Sequence, residues 1–124
     1  MCGLISITDL DGINRQEVDE ILEKMTSSIS HRGPDCAGYF VDAQNATGHR
    51  RLSVIDIDGG QQPWVSPDNK LCLAFNGEIY NHKELREILV ARGYHYSSHC
   101  DTQTVLFAYQ EWGEHCVEYF RGMF

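Results

Sequence analysis

Glycine, proline, asparagine and aspartate recur so often along this chain that no apolar run outlasts a short strand or about three helical turns. The main breaks are Asp9-Leu10-Asp11-Gly12, His31-Arg32-Gly33-Pro34-Asp35, Asp58-Gly59-Gly60 and Asn76-Gly77-Glu78. Gly93 and Gly113 close two later segments. Strands this short suit hairpins, whereas a parallel pair needs a crossover of about a dozen residues or more. Between the breaks, residues 4–8 and the stretches 38–41, 46–49 and 52–55 read as strands, and 71–75 as a buried strand. Asn76-Gly77 predicts a hairpin turn that returns through Ile79-Tyr80. Three helices are expected. Val18, Ile21, Leu22, Met25 and Ile29 recur at helical spacing behind an Asn14/Glu17 capping box. Residues 83–92 follow a second box, Asn81/Glu84, with Leu85, Ile88 and Leu89 inward. Residues 102–112 are capped by Asp101, with Val105, Leu106, Tyr109 and Trp112 inward. Short strands with helices between and after them give an α+β fold with antiparallel sheets.

With 124 residues there is room for one domain. Ten Lys and Arg against eighteen Asp and Glu give a net charge of −8 with no basic run, which argues against nucleic acid as a partner. No uncharged stretch approaches the roughly 18 to 20 apolar residues of a membrane span, and no secretory signal opens the chain. Five cysteines at irregular spacing favour reduced thiols, hence a cytoplasmic setting. The apolar last segment, Tyr119-Phe120-Arg121-Gly122-Met123-Phe124, leads us to expect that the natural chain continues.

Several positions could carry chemistry. If Met1 is removed, Cys2 carries a thiol and a free α-amine, with reference pKa values of roughly 8.5 and roughly 7.7 to 8.0. The amine can then take the thiol proton without a distant histidine; the plain alternative is a small buried residue. Asn76 and Gly77 could aim a side-chain amide and a backbone N–H at one point, as an oxyanion hole does, or could form an ordinary turn. Arg51 suits an amino acid's carboxylate, and Glu78 and Asp101 suit its ammonium group; each also has a bland role as a solvated charge or a helix cap. His31-Arg32-Gly33-Pro34-Asp35 is either a plain loop or a rigid brace for the strand bearing Cys2. His95, His99, Cys100, His115 and Cys116 do not match paired zinc-ligand spacing, so no metal site is expected.

Taken in order, these pieces resemble a known family. Met1-Cys2-Gly3, His31-Arg32-Gly33-Pro34-Asp35, Arg51-Leu52-Ser53-Val54-Ile55-Asp56, Phe75-Asn76-Gly77-Glu78-Ile79-Tyr80-Asn81, Asp101-Thr102, Trp112-Gly113 and Gly122-Met123-Phe124 look like the glutaminase domain of class II glutamine amidotransferases. Within that class, the His-Arg-Gly-Pro-Asp form is most similar to glutamine-hydrolysing asparagine synthetases. The resemblance covers essentially residues 1–124 as a partial glutaminase domain. It implies an N-terminal nucleophile hydrolase fold, an αββα sandwich of two antiparallel sheets between helices, incomplete in this chain. It further implies Cys2 as nucleophile with its own amine as base, and Asn76 with Gly77 as oxyanion hole. Arg51, Leu52, Ser53, Val54, Ile55, Asn76, Gly77, Glu78 and Asp101 would bind L-glutamine. No cofactor is implied for this segment. ATP and Mg²⁺ would serve a C-terminal synthetase domain, and a homodimer is compatible with the resemblance. Gln103 stands where the family often has Glu. Two rival expectations are an amidotransferase with a different acceptor and a non-catalytic domain of the same fold; a retained Met1 would favour the latter.

Overall fold

The β-branched run near the N-terminus forms β1 (Gly3–Thr8), an edge strand of a three-stranded antiparallel sheet. The computed structural model describes residues 2–52 and 60–124. β2 (Cys36–Val41) and β3 (Asn45–Arg51) complete this sheet in the order β1-β3-β2, with Gly3 opposite Arg50 and Cys36 opposite Arg51. The central strand alternates its faces as a pleated strand must. Ala46 and Gly48 face α1 (Arg15–Ser28), where a side chain at Gly48 would run into Thr26 and Leu22. Thr47, His49 and Arg51 take the opposite face. There Thr47 meets the Cys72 thiol and His49 approaches the Phe75 backbone.

Asn14 caps α1 by accepting the Gln16 N–H at 3.2 Å, as its residue type predicts. The inward face of α1 is Val18, Leu22 and Thr26, while Ile21 and Met25 stay exposed. The expected apolar stripe is thus narrower than its sequence, because one sheet covers only one side of the helix.

The second half departs further from expectation. The strand predicted over 71–75 is only β5 (Cys72–Leu73), paired with β4 (Trp64–Val65) through a turn that holds Asn69 at φ 56°. Asn76-Gly77 is not a hairpin between neighbours. β6 (Glu78–Ile79) pairs instead with β7 (Gly122–Met123), more than forty residues away. Gly77 keeps a negative φ and is needed for another reason: a Cβ there would enter the Met123 carbonyl oxygen and the Phe75 ring. Most of the strand expected over 52–55 lies outside the described residues.

α2 (His82–Ala91) starts without a side-chain cap, contrary to the expected Asn81/Glu84 box. Asn81 bonds across space instead, donating to the Tyr119 carbonyl and accepting the Arg121 N–H, both at 2.9 Å. Leu85 and Leu89 point inward, but Ile88 is 44% exposed. α3 (Asp101–Trp112) begins at Asp101 itself, so that residue is the first of the helix rather than its cap. Leu106, Phe107 and Ala108 form its buried face, while Tyr109 is exposed. Leu89, Phe107, Ala108 and Cys116 make one apolar cluster, and Val18, Leu22 and Ala46 make a second under the sheet. The fold is α+β with antiparallel pairing, as the sequence implies.

Candidate active site

The start of β1 lies beside the end of β3, and this brings Cys2 next to Arg51 and Leu52 on one wall of a cavity of about 400 Å³. The opposite wall is the segment entering β6, with Asn76, Gly77 and Glu78, and the start of α3, with Asp101. Seven of the residues expected to act together therefore line one cavity. Ser53, Val54 and Ile55 lie outside the described residues.

A hydrogen bond crosses the cavity wall: the Cys2 backbone N donates to Asn76 Oδ1 at 2.9 Å. This sets the polarity of the Asn76 amide, because the oxygen is occupied and the NH₂ is left as the donor end. The Cys2 Sγ lies 3.9 Å from the Leu52 carbonyl oxygen, a weak S–H···O contact. On the other side, Asp101 Oδ2 accepts the Ile79 N–H at 2.8 Å, so a buried carboxylate sits directly behind Glu78. Arg51 is only 5% exposed although it is a full charge. A buried guanidinium needs polar partners, and a cavity lined by carboxylates is a setting that suits one.

The loop at residues 31–35 acts as a brace. Arg32 Nε donates to the Cys2 carbonyl at 3.3 Å, Arg50 Nε donates to the Gly33 carbonyl at 2.8 Å, and the Asp35 N–H reaches the Arg51 carbonyl at 3.1 Å. A side chain at Gly33 would collide with the backbone of Arg50 and Arg51, which explains the glycine. Gln103 has a comparable job at α3. Its Oε1 accepts the N–H groups of Ser97 and Ser98 at 3.2 and 3.0 Å, and its Nε2 donates to Ser97 Oγ at 3.2 Å.

Two histidines border this region. Burial holds the His49 imidazole below its ordinary pKa; a contact with the Phe75 backbone opposes that shift, and the nearby Arg51 charge adds to it. Burial also lowers His82, with Asp101 pulling the other way. Among the described residues no group of three His, Cys, Asp or Glu side chains converges as a metal site. Gln62 and Thr102 also line the cavity; sequence reasoning quoted Thr102 only as part of the Asp101-Thr102 motif and passed over Gln62. Gln62 stands in an unremarkable Gln61-Gln62-Pro63 stretch, and its partners are far along the chain.

A thiol, an amide turned to donate, and charges of both signs thus line a cavity with room for an amino acid. The family model for the glutamine amidotransferase domain matches residues 1–124, and the chain belongs to that family. It is 40% identical over its full length to asparagine synthetase [glutamine-hydrolyzing] 1 of Bacillus subtilis (strain 168), covering 20% of that protein. It is 36% identical over its full length to asparagine synthetase [glutamine-hydrolyzing] of Brassica oleracea, covering 21% of it. The probable asparagine synthetase [glutamine-hydrolyzing] of Schizosaccharomyces pombe (strain 972 / ATCC 24843) is 35% identical, with 22% covered. The chain thus spans about a fifth of the length of the curated relatives it matches.

Proposed function

We propose that this chain is the glutaminase part of an asparagine synthetase. It releases ammonia from L-glutamine, and the whole protein uses that ammonia to amidate aspartate. The observation that carries this reading is the bond from the Cys2 nitrogen to Asn76 Oδ1, which joins the residue proposed as nucleophile to the one proposed as oxyanion donor. Removal of Met1 turns that nitrogen into an α-amine a few bonds from the thiol. The amine takes the Sγ proton, and the thiolate attacks the side-chain amide carbon of glutamine. The C=O electrons move to oxygen, where Asn76 Nδ2–H and Gly77 N–H stabilise the charge. As the tetrahedral intermediate collapses, the C–N bond breaks and the α-ammonium delivers its proton to the departing nitrogen. A γ-glutamyl thioester remains on Cys2. Water, deprotonated by the same amine, adds to it, and glutamate leaves as the thiol is restored.

In this reading Arg51 holds the substrate carboxylate, and Glu78 with Asp101 holds its ammonium, while the segment around Leu52, Ser53, Val54 and Ile55 supplies backbone contacts. In this reading ATP and Mg²⁺ serve a synthetase domain of the same protein. Location in the cytoplasm agrees with five thiols in need of a reducing setting, Cys2 above all. In the full-length protein, Cys2→Ala should abolish glutamine hydrolysis and leave asparagine formation from added ammonia intact. Mass spectrometry of the mature protein should show Cys2 as the first residue. Glutamine hydrolysis that survives the substitution, or a retained Met1, overturns the reading.

A further inference from the structure

Gln62 makes contacts that the proposed chemistry above leaves unused. Its backbone is seated against the sheet, since a side chain at Gly38 of β2 would run into the Gln62 carbonyl oxygen. From that anchored base the side chain reaches two ways. Oε1 accepts the Phe75 N–H at 2.6 Å, and Nε2 donates to Thr102 Oγ1 at 3.4 Å. Phe75 immediately precedes Asn76, and Thr102 immediately follows Asp101. One planar amide thus spans from the turn that carries the oxyanion donors to the start of α3, with its far end fixed on the sheet whose strands bring Cys2 and Arg51 to the cavity. An amide suits this task because it carries an acceptor and a donor in one rigid plane.

We propose that Gln62 is a positioning residue of the glutaminase site: it sets the direction of the Asn76 and Gly77 donors relative to Cys2, and the spacing between that turn and Asp101. This rests on the glutaminase reading. Gln62 acts through Phe75 and Thr102 and takes no proton itself. Without it, the Phe75 N–H loses its partner and the Asn76-Gly77 turn is free to shift.

The test uses the full-length protein. Gln62→Ala lowers kcat for glutamine hydrolysis about 10- to 100-fold, the scale of loss that follows a misplacement of about 1 Å or less. A diazoketone mimic of glutamine still labels Cys2 to completion, which shows that the site is assembled. Gln62→Glu recovers most of the rate, since it can accept both the Phe75 N–H and the Thr102 hydroxyl proton. Thr102→Val costs less than Gln62→Ala, and the double variant is no slower than Gln62→Ala to within about twofold, because one strut has been removed in both. A Gln62→Ala enzyme with full labelling and kcat within about threefold of wild type overturns the proposal, as do losses that multiply in the double variant. Hydrogen exchange at the Phe75 amide separates the two levels of failure. Protection unchanged in Gln62→Ala sinks the strut itself. Protection lost, in a wild-type protein inert toward glutamine, sinks the glutaminase reading and the catalytic meaning of Gln62 with it.

Discussion

At Asn76 the two ends of one side-chain amide have different duties. The oxygen accepts from the Cys2 nitrogen, which leaves the NH₂ as the end that, in the proposed mechanism, meets developing negative charge. Asn76→Asp removes that donor and sets a carboxylate against the amine. The amine's pKa then rises, so at neutral pH more of it is already protonated and less is free to take the thiol proton. We expect kcat for glutamine hydrolysis to fall about 10²- to 10³-fold, the usual loss for one oxyanion donor. The acidic limb of the pH–rate profile should also move to higher pH; a rate and profile like those of wild type would remove Asn76 from both roles. His49 offers a different test. It is 1% exposed and held below its usual 6.5 by burial, so the folded chain disfavours its protonation. The unfolded chain then binds more protons than the folded one as the pH drops below about 6.5, and stability is lost progressively through that window. Arg51, on the same face of β3, opposes a second positive charge. His49→Gln should flatten the decline in urea midpoint between about pH 6.5 and 5 without abolishing it, since His82 titrates in the same sense. An unchanged slope would show that His49 is not the group responsible.

At the scale of elements, the same residue types serve as caps and as cross-chain clamps, and the sequence does not say which. Asn14 is a cap, its side chain accepting the Gln16 N–H at its own helix start. Asn81 had the same signature but meets the backbone of Tyr119 and Arg121, and two tertiary bonds win over one local one. Asp101 was legible as a candidate carboxylate at the start of a helix, and it does line the cavity, yet its bond to the Ile79 N–H depends on a strand pairing that local pattern cannot reveal. Asn76-Gly77 carried a strong hairpin signal that the distant β7 overrode, so the turn's chemical residues were readable and its partner was not. Gln62 was missed for a related reason: it has no motif of its own and owes its place to Gly38, Phe75 and Thr102. The Asn81 clamp gives a measurable consequence. Asn81→Ala removes both bonds to the 119–121 backbone and should cost about 1 to 2 kcal/mol by the usual worth of two such bonds. Amide exchange at Arg121 and Tyr80 should speed up, because the Tyr80 N–H bonds to the Arg121 carbonyl at 2.7 Å beside the clamp. Asn81→Asp keeps the acceptor and should recover part of the loss. Exchange at Arg121 that does not change would mean that β7 is held by its strand pairing alone.

At the scale of the molecule, the cavity lies at a seam. The sheet with α1 has its own apolar cluster around Leu22, and α2 with α3 has another around Leu89; among the described residues the two share no member. Across the seam run polar ties, among them Cys2 to Asn76 and Gln62 to Phe75 and Thr102. A cavity built this way draws Cys2, the proposed nucleophile, and Arg51 from one packing unit, and Asn76, Gly77, Glu78 and Asp101 from the other. Polar ties at a half-buried seam are worth less than either apolar cluster, so each unit should be able to open without the whole of the other. Leu22 and Leu89 test this evenly, since they are 1% and 0% exposed and lose the same atoms on truncation. Leu22→Ala and Leu89→Ala should each cost about 2 to 5 kcal/mol. Native-state hydrogen exchange should then divide by unit. Leu22→Ala should speed exchange in β1, β2, β3 and α1 more than in α3, and Leu89→Ala should do the reverse. Both should weaken glutamine binding, because opening either unit pulls one wall from the cavity. If both substitutions speed exchange equally everywhere, the molecule opens as a single unit and the polar ties are as strong as the cores they join.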